Sequence, residues 1–193
     1  MDDTSEQPGE IRDPKALRAL AHPLRWRLID VLGTEGPATA THCAGVLGES
    51  VASCSYHLNL LAKYGFIEVS PGGQGREKPW RLTVMRQSWT AEADSVEGGL
   101  AAAMVSETFL QVELERLIQW HRRREVEPEP WRNATVTSGV TSFLTADELH
   151  ELSDELNELA SRYVDRLEDR SLVPAGARPV RIFVATTVAE ERA

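Results

Sequence analysis

Residues 50–69 read SVASCSYHLNLLAKYGFIEV, and this stretch decides the fold. Val51, Cys54, Leu58 and Leu61 recur at steps of three, four and three, which puts them on one side of a helix. Ala52, Ser53, Tyr56, Asn59, Leu60 and Lys63 take the other side, with His57 between the faces. Ser50 is placed to cap the helix and Gly65 to end it in a left-handed turn. Beyond Gly65 the period changes. Residues 66–69 predict a strand, the glycine-rich run 71–75 a hairpin tip, and residues 78–83 the returning strand, with Trp80 and Leu82 facing the core.

Working upstream, Asp13 and Pro14 form a helix start, a capping acid before a proline that misses no amide. Leu17, Leu20 and Ala21 line that first helix until His22-Pro23 breaks it. A second helix carries Leu24, Leu28, Ile29 and Leu32 on one face, and Thr39 caps a short third helix that runs to Leu47. Helices followed by a β-hairpin make a winged helix-turn-helix, so the predicted class is α+β, mainly α. Trp26 falls away from the core side of its helix and is expected to pack against a later element.

Downstream, residues 95–124 predict a long helix with a broad apolar face: Val96, Leu100, Ala103, Leu110, Leu114 and Leu117, widened by Met104, Phe109, Val112 and Ile118. Trp120 lies off its main stripe. Residues 125–130 alternate acid and proline and read as a stiff connector. A strand is expected at 135–143, a capping box at 145–148 opening a helix striped by Leu149, Leu152, Leu156, Leu159 and Tyr163, and a last strand at 180–188. The expected organisation is a flexible acidic tail (1–12), a winged helix-turn-helix domain (13–86), a long dimerisation helix (87–125) and a C-terminal strand-helix-strand module (126–193).

The net charge of −9 is unevenly spread. Residues 1–10 sum to −4, residues 11–86 to +4 (ten basic, six acidic), and residues 87–193 to −9 (eleven basic, twenty acidic). Attraction to phosphate acts within a Debye length of about 8–10 Å, so a basic segment works inside an acidic chain. The only cysteines, Cys43 and Cys54, offer no disulfide framework, and the acidic N-terminus is unlike a secretory leader; a reducing cytoplasm is the expected setting.

A helix with small residues at its start and polar ones along its outer flank suits entry into the major groove of duplex DNA. Ser53, Ser55, Tyr56, His57, Asn59 and Lys63 are the candidate contacts, the hydroxyls and amide for base edges or phosphates and the ammonium for phosphate. Arg76, with Lys78 and Arg81, decorates the hairpin and is placed to reach the adjacent minor groove or backbone. Thr39 and Thr41 stand at a helix N-terminus, where backbone amides hold phosphate, although simple capping explains them as well.

Residues 16–32 (ALRALAHPLRWRLIDVL), 52–69 (ASCSYHLNLLAKYGFIEV) and 75–82 (GREKPWRL) resemble the ArsR-type winged-helix regulators. The likeness covers about residues 13–86 and is to the branch with longer, non-metal C-terminal extensions. It implies homodimeric, usually repressive transcription regulation, with Ser55, Tyr56 and His57 in the DNA-reading region. Leu100, Leu110, Leu114 and Leu117 are then the expected dimer seam.

Rival readings are a winged helix used as a protein-binding scaffold without DNA, and a metal-sensing repressor using Cys43 and Cys54. Buried cysteines act as small hydrophobes far more often than as ligands, so neither metal nor cofactor is expected. Neither a nucleophile elbow nor a phosphate loop or dinucleotide fingerprint is present, which argues against an enzyme. The C-terminal module is either further dimer surface or the pocket of a small-molecule effector.

Overall fold

The structure, a computed structural model, describes residues 10–11, 13–71, 78–83, 88–89 and 95–189. Residues 1–116 and 117–193 form two compact units. In the first, four helices follow one another: α1 (Pro14–Leu20), α2 (Pro23–Glu35), α3 (Ala40–Leu47) and α4 (Val51–Lys63). Each start is capped by a side chain that accepts an otherwise orphaned amide. Asp13 accepts from Lys15 N–H (3.0 Å), His22 Nδ1 from Leu24 N–H (3.1 Å), Thr39 from His42 N–H (3.2 Å) and Ser50 from Ser53 N–H (3.1 Å). Gly48 and Gly65, with φ of 67° and 78°, make the left-handed turns that close α3 and follow α4.

The hairpin consists of β2 (Ile67–Val69) and β3 (Trp80–Leu82), antiparallel with Val69 opposite Trp80. Trp80 also exchanges both backbone hydrogen bonds with Ala38 (2.8 and 3.0 Å), which fastens the hairpin to the α2–α3 connection. Its tip, residues 72–77 with Arg76, lies outside the described residues. Within residues 1–12, β1 (Glu10–Ile11) pairs in parallel with β4 (Ser88–Trp89). Leu17, Leu20, Leu28, Leu32, Leu58, Leu61 and Ile67 are fully buried and form the centre of the core. Fully burying a side chain of this kind contributes about 1.5–3 kcal/mol, so the leucines of α4 anchor it firmly.

The long helix, α5 (Val96–Arg123), has two apolar faces on opposite sides. Gly98, Ala101, Ala102, Val105 and Val112 are buried, and small residues there allow close approach. Phe109 stacks at a tilt on Trp26, centroids 5.0 Å apart, and Arg116 forms an ion pair with Asp30 of α2. Trp26 is therefore covered, as expected, by a later element. The other face, Val96, Leu100, Ala103, Leu110, Leu114 and Leu117, is exposed along its length, Leu100 by 64% and Leu114 by 53%.

In the second unit, α6 (Glu129–Ala134), α7 (Ala146–Ser161) and α8 (Asp165–Glu168) follow a single 3-10 turn at Arg124–Val126. Glu127 receives Arg178 at 3.0 Å, whose guanidinium also lies 4.9 Å from the Trp131 ring centroid. The capping box forms: Thr145 Oγ1 accepts from Glu148 N–H (3.2 Å), and the Glu148 carboxylate accepts from Thr145 N–H (2.7 Å). That hydrogen bonding lowers the Glu148 pKa. Trp120 lies under the Arg123 guanidinium at 5.4 Å.

The expected strands at 135–143 and 180–188 do not form; neither segment carries helix or strand. Their alternation is genuine, with Val180, Ile182, Val184 and Val188 at steps of two or four, but all four side chains are exposed. A strand exists only by pairing, and no described segment forms a ladder with either of these. The strand-helix-strand expectation is corrected to a helical segment flanked by segments without helix or strand. No described helix is long and apolar enough to cross a membrane.

Candidate nucleic-acid interface

Helix α4 presents the surface that its periodicity predicts. Cys54, Leu58 and Leu61 face inward without exposure, and the outer flank carries Ala52, Tyr56, Asn59 and Lys63. Tyr56 is 63% exposed. Ser53 and Ser55 are half-buried. Asn59 turns its amide back along the helix, donating to the Ser55 carbonyl at 2.7 Å and lying 3.4 Å from the Ser55 hydroxyl. Its carbonyl oxygen is left to accept from a ligand. Lys63, at the C-terminal end where a cation suits the helix dipole, sets its ammonium 5.5 Å from the Tyr64 ring centroid. Val51, expected inward, is exposed: the apolar stripe is covered only from Cys54 onward.

The turn before α4 is fixed from α2. Arg27 donates to the Leu47 carbonyl at 2.7 Å and pairs with Glu49 at 3.2 Å. Other positive charge of this unit is also consumed internally. Arg18 pairs with Glu97 (2.5 Å) and Arg81 with Glu68 across the hairpin (2.6 Å). Lys63 and Lys78 remain exposed. Thr39 is a cap, and His42 beside it pairs with Glu35 at 2.5 Å.

His57 departs from its expected role. It is only 8% exposed, because its ring is drawn inward by Arg25, itself 8% exposed, whose Nε–H donates to His57 Nδ1 at 3.1 Å. The His22 ring lies 4.4 Å away, and Tyr56 meets the same imidazole edge-on at 5.1 Å. Burial lowers the pKa of both imidazoles; at His22 the charge of Arg25 lowers it further, and at His57 first His22 and then Arg25 do so. Arg25 was not singled out by the sequence pattern, although one signal was there: it is a cation within the apolar arc of Leu24, Leu28 and Leu32.

Cys43 and Cys54 are buried free thiols. Burial pushes Cys43 up to about 11 and raises Cys54 as well, which disfavours the thiolates that a soft metal would need. Among the described residues no group of three or more His, Cys, Asp or Glu side chains is arranged to hold a metal ion.

No curated protein matches the chain. A family model does: residues 20–70, from the last residue of α1 to the end of β2, match the model of a helix-turn-helix domain.

Proposed function

We propose that the chain is a homodimeric, sequence-specific DNA-binding transcription regulator, acting in the cytoplasm as a repressor of the ArsR type. One observation carries the reading. Within the stretch that matches a helix-turn-helix domain, α4 is anchored by buried leucines while Tyr56, Asn59 and Lys63 stand open along its outer flank. In this reading Ser53, Ser55, Tyr56 and Asn59 contact base edges or nearby phosphates, Lys63 and Thr39 the backbone, and Arg76 the groove beside the hairpin. His57 supports α4 from beneath. The exposed face of α5 supports dimerisation, since a stripe through Leu100, Leu110, Leu114 and Leu117 would be buried by its twofold mate. Residues 126–193 add to that surface, or hold a small-molecule effector.

Selection from random duplexes, followed by anisotropy titration of the enriched sequence, tests the proposal. A recurrent palindromic site with half-sites about one helical turn apart is expected. Failure to enrich any sequence, with no salt-dependent binding to duplex DNA, would favour the protein-scaffold reading instead.

A further inference from the structure

The groups beneath α4 are arranged so that both imidazoles act as acceptors. His57 Nδ1 receives the Arg25 Nε–H at 3.1 Å, and His22 Nδ1 receives the Leu24 amide at 3.1 Å. An imidazole nitrogen that accepts carries no proton, so each ring is held neutral with its proton on Nε2. Arg25 meanwhile donates through Nη1 to the carbonyls of Arg18 and Ala19 at the end of α1. One buried guanidinium thus joins the end of α1, the first turn of α2 and the middle of α4.

We propose that Arg25 is a positioning residue for the DNA-reading helix, acting through His57, and that this linkage holds only while His22 and His57 are unprotonated. The inference rests on the DNA-binding reading above. A proton on His57 Nδ1 would turn the acceptor into a second donor facing Arg25, replacing a hydrogen bond by repulsion between cations. A proton on His22 Nδ1 would remove the cap of α2 and set a cation 4.4 Å from the His57 ring. The remaining groups around the cluster do not offset this. Glu49, from the α3–α4 turn, favours the charged forms but is engaged by Arg27, and Tyr56 and Tyr64 interact favourably with Arg25 only as it already stands. Acidification should therefore loosen the middle of α4, next to Tyr56, and weaken DNA binding. Ordinary electrostatics predicts the opposite, since added positive charge on a protein strengthens its hold on phosphate.

The test compares the affinity of the full chain for its selected duplex at pH ~7.5 and ~5.5, at constant salt, for the unmodified protein and for a His22→Asn, His57→Asn variant. Asparagine keeps a short acceptor in place of Nδ1 and does not titrate. The unmodified protein is expected to bind more weakly at the lower pH, by less than the about tenfold that each ordinary histidine would cost, because both resist protonation, whereas the variant does not weaken. Binding that strengthens on acidification, or an equal loss in the variant, would overturn the proposal. Should the variant fold poorly, ring-nitrogen NMR of the unmodified chain decides: Nδ1 of both histidines must be unprotonated at neutral pH, and an Nδ1–H tautomer at His57 would overturn the linkage. Absence of binding to every duplex at the higher pH would instead defeat the DNA-binding reading, leaving the NMR result to judge the Arg25–His57 contact by itself.

Discussion

Replacing Lys63 by alanine isolates the electrostatic part of the proposed interface. The ammonium is exposed at the last turn of α4, above the Tyr64 ring, and no described carboxylate pairs with it. Each phosphate contact contributes about 0.9 to the slope of log affinity on log salt, so losing one lysine from each subunit of a dimer should flatten the slope by about 1.8. If that contribution vanishes near 1 M salt, the variant binds about 60-fold more weakly at ~0.1 M and only about fivefold more weakly at ~0.4 M. Anisotropy titrations at four or five salt concentrations measure both the slope and the ratio. A flattening of about 0.9 would mean that one α4 per complex engages the backbone. An unchanged slope would refute the placement of Lys63 against phosphate, and with it the orientation assigned to α4.

Three further outcomes follow from the same structure. Leu100→Glu with Leu114→Glu, both on the exposed face of α5, should convert a dimer to a monomer in sedimentation while moving the thermal midpoint of the isolated fold little; an unchanged mass would remove this face from the seam. Because His22 and His57 have lowered values in the folded chain, the unfolded chain takes up protons near its ordinary value of about 6.5 that the folded chain declines. Stability should be fullest above neutrality and fall as pH drops through about 6.5, read by urea unfolding at several pH values, and the fall should shrink in His22→Asn, His57→Asn; a flat profile would contradict the lowered values. Cys43, fully buried and pushed up to about 11, should react with a thiol reagent near pH 8 only on unfolding, whereas prompt reaction in the native state would show an accessible thiol.

The helix order, the caps at Asp13, Thr39 and Ser50 and the hairpin strands were legible in the residues because each rests on local chemistry: a proline after Asp13, a hydroxyl at Ser50, a glycine at position 65. The outer flank of α4 was legible for the same reason, as period alone separates Tyr56, Asn59 and Lys63 from Leu58 and Leu61. What escaped depended on contacts between distant parts of the chain. His57 sits near the boundary of the two faces on a helical wheel, and only Arg25, thirty-two positions away, decides that it turns inward. The pairing of Arg81 with Glu68 likewise follows only once the hairpin register sets the two opposite each other. The strands expected at 135–143 and 180–188 failed on the same principle, since alternation describes a surface ready to pair and says nothing of whether a mate is supplied.

The absence of any buried side chain among the described residues beyond 116 also bears on how the molecule melts. Heat uptake on unfolding reflects interior that is dismantled, and here the described interior lies between residues 16 and 113. A calorimetric transition of the lone chain should accordingly carry about 70 kcal/mol, the enthalpy of a ~100-residue domain, instead of the larger value that the full length would suggest. Residues 117–193 would join that cooperative event only when their exposed valines and leucines are enclosed, so the size of the transition itself reports whether enclosure has occurred.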